Sequence, residues 1–464
     1  MAEIVITEFM DEGPAEGLAA DFDVLFDPTL VERPDDILAA LGDARAIIVR
    51  NRTQVRAPLL DAAPDLIATI ARLAETSLAR HLLFFDQQKR WINEQHLEIC
   101  RVPSATFREQ QRADYLVGLF RELGHQARLD DAGNVVCPIV FGEQLPFVAV
   151  SAHMDTVIAP REISDVYVRP DGTMEGPGVT DNGSGLTALV ALARLFQDGP
   201  VAPDPVQNLL LVANVAEEGE GNLHGMKYLC RHSPFAPRIT AYLVLDGAST
   251  GHITAEALGS RRFEIIIEGH GGHSWNDFGT ANPIHALGRT VAVLADADLP
   301  TNPRTTLSVG VIEGGSGVNS IPPVARAKVD IRSQSSSVIE QLVKTTEDAV
   351  RLGVEMENRR SSQRLSNYKI HEIGHRPAAP LSPDNYLFDY VRAVDAHLNI
   401  LSRLDCSSTD ANVPLAAGLP AVAIGTGGRG GNAHTTAEWF NPEGRELGLR
   451  RILLVLSLLM TQRG

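Results

Sequence analysis

The chain has 464 residues, 41 of them basic and 58 acidic, for a formal net charge of −17. With 44% apolar and 21% charged side chains, it has the composition of a folded globular protein of two or three domains, not of a disordered chain. The acidic excess argues against sequence-independent nucleic-acid binding and against an anionic membrane surface, so neither is expected as a partner.

The first elements form a small α/β unit over residues 1–66. Strands are expected at Ile4 to Ile6, Phe22 to Phe26 and Ala46 to Val49, with a capped helix pattern at Pro34 to Leu41 before the last of them. No basic segment precedes an apolar one here, so no secretory leader is read. Through ITEFMDEG, DFDVLFDPTLV, ARAIIVRNRTQV and LLDAAPDL, this stretch resembles the opening segment of the D-2-hydroxyacid dehydrogenases. The resemblance ends after roughly one seventh of the chain. No GxGxxG follows a strand and opens a helix in the next hundred residues, so the pyrophosphate cradle of a dehydrogenase is missing. A literal match, Gly425, Gly427 and Gly430, occurs much later but runs into NAHTTAEW instead of an apolar helix. Residues 1–66 are therefore expected to serve docking, not chemistry.

From residue 67 the pattern changes. Helical stretches at Leu66 to Arg90 and Thr106 to Leu123 lead to a strand at Asn134 to Val140. Apolar strands at Phe147 to Val150, Leu209 to Val215 and Ala241 to Leu245 then alternate with helical patterns such as Leu186 to Phe196. That alternation predicts an α/β domain with a central, mostly parallel sheet. After the break at Leu258-Gly259-Ser260, strands at Arg262 to Ile267, Leu307 to Ile312 and Ala325 to Ile331 and helices at Pro283 to Leu294 and Ser336 to Leu352 indicate an inserted α+β unit over 260–372. The chain returns through HRPAAPLSPDN to a helix, a strand at Ala421 to Gly425 and a last helix. The larger domain thus comprises 67–259 and 373–464. Its longest apolar run, Ile452 to Met460, is far short of the roughly 20 residues that cross a bilayer and reads as a buried helix. Four cysteines (Cys100, Cys137, Cys230, Cys406) stand singly with no CxxC pair. That pattern indicates neither a disulfide framework nor a thiolate metal site, and it fits a cytoplasmic protein.

The residues with chemical potential fall where strands of the large domain should end. VAVSAHMDTV places His153 and Asp155 two apart, on one face. GPGVTDNGSG places Asp181 and Asn182 at the start of an apolar helix, where Asp181 reads equally well as a helix N-cap. VANVAEEGEG ends a strand in Glu217-Glu218, adjacent carboxylates that repel unless a cation or shared proton offsets them. AYLVLDGAS ends in Asp246, and GTGGRGGNAHTTAEW carries His434. Open α/β sheets bind ligands beyond the carboxyl ends of their strands, so these groups can converge. Nitrogen and oxygen donors without thiolates suit zinc, with cobalt or manganese as alternatives.

The set HMD, DNGSG, EEGEG, LDG and AH resembles the co-catalytic zinc metallopeptidases that include peptidase T, carboxypeptidase G, aminoacylase and succinyl-diaminopimelate desuccinylase. The resemblance runs from about residue 98 to 464. It implies two divalent ions per chain: His153 and Asp246 on one, Glu218 and His434 on the other, with Asp181 bridging. It implies Asp155 as a carboxylate orienting the site and Glu217 as the general base acting on a metal-bridging water. The inserted unit resembles the family's lid and dimerisation domain. EGHGGHSW points to His273 as the residue polarising the scissile carbonyl, usually across a homodimer, while His270 falls off the motif. GGSGVNSIP and VDIRS point to Asn319 and Arg332 as substrate-holding residues, Arg332 clamping a carboxylate. His81, His96 and His125 match nothing and read as structural. The expected activity is amide-bond cleavage in small peptides, of the di- or tripeptide aminopeptidase kind. An N-acyl amino acid deacylase of the same family is the alternative.

Overall fold

The computed structural model describes residues 4–6, 23–27, 29–30, 46–48, 70–71, 74, 78–201, 205–382 and 385–461. The predicted helix at Pro34 to Leu41, the ends of the strands at Phe22 and Val49, and residues 66–69 of the first long helix lie outside them. In the N-terminal unit Ile4–Ile6 is the middle of three short parallel strands, paired with Val24–Phe26 on one side and Ala46–Ile48 on the other.

The sheet of the larger domain has eight strands. Its centre is four parallel strands in the order Ala421–Ile424, Ile239–Leu245, Phe147–His153, Asn208–Asn214. Phe147–His153 and Asn208–Asn214 are buried along their whole length, as parallel strands covered on both faces must be. The antiparallel pairs flank this centre: Val135–Ile139 and Arg128–Leu129 on one side, His252–Ala257 on the other, with Arg403–Ser407 parallel at the edge. One face packs against the Gly183–Leu195 helix and the C-terminal Arg445–Thr461 helix, whose Ile452 to Met460 run is fully buried as predicted. None of the helices among the described residues is long and apolar enough to cross a membrane.

The expected helix ending at Arg90 is instead two, Ala79–Gln87 and Lys89–Arg101. The second was missed because its apolar stripe is thin: Ile92, His96, Ile99 and Cys100 face inward in an otherwise polar segment. His96 is structural, its Nε2 at 2.6 Å from the Val179 carbonyl. All four cysteines are free.

Arg451 is fully buried on the C-terminal helix, its Nε and Nη2 each donating to an Asp395 carboxylate oxygen at 2.6 Å. Breaking such a pair on one side strands a buried charge. Asp395→Ala is therefore expected to cost about 3–5 kcal/mol, read by urea unfolding. A loss below about 1 kcal/mol would show that water reaches Arg451.

The inserted unit is a four-stranded antiparallel sheet in the order Thr305–Gly314, Val324–Ser333, Gly259–Glu268, Asn367–Arg376. The helices Pro283–Ala295 and Ser336–Arg359 cover one face. Burial alternates strictly along Val324–Ser333, with Ala325, Ala327, Val329 and Ile331 under the helices. The fourth strand was not foreseen, because most side chains of NYKIHEIGHR remain at least partly exposed and give no apolar signal.

Candidate active site

Three of the four central strands deliver most of the site. His153 is the last residue of Phe147–His153, and Asp155 follows two residues on. Glu217 and Glu218 lie just past Asn208–Asn214, Asp246 directly past Ile239–Leu245. His434 sits in the loop after the short strand Arg429–Gly431, with its backbone in the left-handed region at φ 65°, a conformation concentrated at functional sites.

His153 Nδ1 lies 2.9 Å from the Asp155 carbonyl and Nε2 lies 3.0 Å from Asp181 Oδ1. With Nδ1 donating to that carbonyl, Nε2 is the ring nitrogen directed at Asp181 and into the site, the one a metal would take. The other oxygen of Asp181, Oδ2, is 3.1 Å from His434 Nε2, which is 2.8 Å from Glu218 Oε1. Ligand atoms of His153, Asp181 and Glu218 all lie within 4.8 Å of one another. Asp246 lines the same cavity, about 320 Å³ in volume, together with Glu217, Arg262, Arg332 and Arg376.

The electrostatics are those of a site crowded with acid. Burial pushes the Asp246 carboxyl up to about 7, with the Asp181 charge adding to it. Burial likewise raises Glu218, and it raises Glu217 well above the usual range against the opposing pull of Arg376. Burial would depress His153, but its bonds to Asp155 and Asp181 carry it well above an ordinary histidine. His434 is raised to about 9, chiefly by its bond to Asp181. Such a donor set, two imidazoles among buried carboxylates, fits divalent cations.

The supports are equally specific. Asn182, not Asp181, fills the N-cap of the Gly183–Leu195 helix, accepting from Gly185 N and donating to the Leu245 carbonyl. The capping reading of Asp181 is thereby corrected, and its carboxylate is left to the site. Glu438 fixes the loop before it, accepting the backbone N–H groups of Gly178, Thr180 and Asp181 at 2.7–2.8 Å. Asp155 accepts from the backbone N–H groups of Glu217 and Glu218, both at 2.9 Å, and from the Thr106 hydroxyl.

Arg332 lines the cavity; His273 and Asn319 do not. The latter two belong to a two-stranded ribbon, Gly272–His273 against Ser320–Ile321, where Ser274 N donates to the Asn319 carbonyl. Sequence reasoning missed Arg376, Arg262 and Glu438. Glu438 lay four residues past His434 in a quoted motif, and an acidic residue ending a glycine-rich loop was the available signal. Gly425 follows a strand as a nucleotide loop would, but the chain then forms the strand Arg429–Gly431, not a helix. A Cβ at Gly425 would stand 2.1 Å from the Ser249 carbonyl, so close packing against Ser249 explains that glycine.

A second cavity, of about 780 Å³, opens beside the first and shares Asp246 with it. Its walls include His252, Thr254, Asp405 and Arg429.

Residues 256–353 match the peptidase dimerisation domain family and residues 134–265 match peptidase family M28. The cytosol non-specific dipeptidase of Escherichia coli is 26% identical over 286 residues, 55% of this chain and 56% of the dipeptidase. The (S)-sulfolactate dehydrogenase of Chromohalobacter salexigens is 46% identical over 68 residues, 15% of this chain and 22% of that enzyme. The chain thus spans about half or less of the curated relatives' length. A tripeptidase from Staphylococcus aureus superposes with a TM-score of 0.65 at 19% identity, over 80% of this chain and 98% of its own. The dehydrogenase match is as short as the N-terminal segment; the two peptidase models together fall on residues 134–353, and the eight-stranded sheet with its inserted unit shares the fold of the tripeptidase.

Proposed function

We propose that the chain is a metal-dependent hydrolase that cleaves an amide bond in di- or tripeptides from the amino end. One observation carries the reading: Asp181 turns each carboxylate oxygen to a different histidine, Oδ1 to His153 and Oδ2 to His434. Asp181 would serve both of two cations, His153 and Asp246 holding one and Glu218 and His434 the other. Bound there, a pair of divalent cations, zinc by preference, would lower the pKa of water and polarise the scissile carbonyl. Glu217 would take the proton from the attacking water and return it to the leaving amine. Asp155 would hold His153 and the Glu217-Glu218 backbone in place. Arg332 would receive the free carboxylate of the leaving residue, a geometry guanidinium favours.

The larger cavity would take the residue on the acyl side, and Asp405 and Asp246 in its wall suit that residue's free ammonium. The dipeptidase and tripeptidase relatives support peptides as substrates. A homodimer through the lid would bring His273 and Asn319 to the other subunit's cleft. Exposed Val311 and Ile312 on the lid's edge strand Thr305–Gly314 suit that contact.

The test is a panel of tri-alanine, dipeptides and N-acetyl amino acids with zinc-loaded protein. The expected result is release of the N-terminal amino acid, abolished by a chelator. Cleavage of the N-acetyl substrates alone would make it a deacylase, and cleavage of none would overturn the reading.

A further inference from the structure

The face of the lid sheet that its helices leave uncovered carries a cluster of cations. Lys328, Asp330 and Arg332 alternate along Val324–Ser333. Arg262 stands opposite Asp330 on Gly259–Glu268, and Arg376 ends Asn367–Arg376 in the row of Ser260 and Arg332. Three of these four cations reach into the catalytic domain, and all land on one short segment.

Arg376 Nη1 donates to Glu217 Oε1 at 2.8 Å and Nη2 to the Glu217 carbonyl at 2.5 Å. Arg262 Nη1 donates to the Gly219 carbonyl at 2.6 Å while its Nε holds Asp330. Lys328 Nζ reaches Glu220 Oε1 at 2.9 Å. The same segment is held from its other side by the catalytic domain. Asp155 takes the N–H groups of Glu217 and Glu218, and Glu109 takes that of Ala216. The amides of this loop are thus fixed by the catalytic domain, and its carbonyls and acidic side chains by three strands of the lid. The fourth cation, Arg332, contacts Asp330 on its own strand, which leaves it for substrate. Room for the grip is built in, since a Cβ at Gly374 would stand 3.2 Å from Arg262 Cδ.

We propose that Arg376 and Arg262 are positioning residues: they clamp the Glu217–Glu220 loop to the lid sheet, so that the general base and the adjacent metal ligand take their working geometry only while the lid is docked. This rests on the hydrolase reading of the same site. A misplacement of about 1 Å in such a constellation lowers turnover by about 10²-fold.

The experiment compares Arg376→Met, Arg376→Lys and Arg262→Met in the full-length, zinc-loaded protein by steady-state kinetics, metal content and hydrogen exchange of the 217–221 segment. Arg376→Met should lower kcat by about 10²-fold with KM and metal content within about twofold, and should speed exchange in that segment. Arg376→Lys should recover part of kcat, since an ammonium keeps the charge without the fork. Arg262→Met, on a partly exposed side chain, should move in the same direction by less, and it carries the test if Arg376→Met fails to fold. Unchanged kcat with unchanged exchange overturns the clamp, as does a kcat loss that only tracks the unfolded fraction. If the parent protein cleaves no substrate, the hydrolase reading falls, and the exchange arm still decides whether the lid holds this loop.

Discussion

Glu217→Gln is expected to lower kcat by about 10²–10⁴-fold, the usual worth of a positioned general base, while leaving metal content and KM close to those of the parent. The expectation follows from what the substitution spares. The contacts that place residue 217, its N–H on Asp155 and its carbonyl on Arg376, are main-chain, so the amide variant keeps both. The amide oxygen can still accept from Arg376 Nη1, where Oε1 stands now. What disappears is basicity. Glutamine has no carboxylate to take a proton from water or return it to the leaving amine. Steady-state kinetics with metal analysis on one preparation decides the matter. A kcat within tenfold of the parent removes Glu217 from the base role, and loss of metal would make it a ligand instead.

These residues stand out in the sequence for a mechanical reason. Parallel strands buried on both faces read as apolar runs, and the polar residue that interrupts each run is the one leaving the sheet at its carboxyl end. His153, Glu217, Glu218 and Asp246 are all of that kind, and the structure brings them to one cleft with Asp181 and His434. What escaped lacked that contrast. Arg376 ends a strand whose side chains are largely polar and partly exposed, so neither the strand nor its terminal residue stood out. Arg262 lay within a predicted strand, but only the pairing register shows that it faces the cleft and not the helices. Asp181 and Asn182 both suit a helix cap, and their division of labour rests on which side chain reaches Gly185 N. His273 and Asn319 are adjacent in the lid ribbon, yet neither lines this chain's cleft, so their assignment depends on an assembly that one chain does not display.

Asp181→Ala separates the cation site from the base. The loop that carries residue 181 is tied to Glu438 through the N–H groups of Gly178, Thr180 and Asp181, so removing the side chain leaves the backbone where it is. His153 and His434 then lose the carboxylate that each now faces. On the proposed reading, the ligand shared by a paired site would be gone and both ion positions would weaken together. Metal content should fall below one ion per chain after dialysis, and activity should fall further than in Glu217→Gln, because activation of water and polarisation of the carbonyl are lost along with the base's partner. The stabilities should diverge as well. An ion present at about 100 times its dissociation constant adds about 2.7 kcal/mol to the folded state. Added zinc should therefore raise the Tm of the parent and of Glu217→Gln and leave that of Asp181→Ala nearly unmoved. An Asp181→Ala protein that still holds two ions would show that the histidines and Glu218 suffice without a shared carboxylate. One ion retained, with activity, would turn the site into a single-metal centre and reassign Asp246 or Glu218.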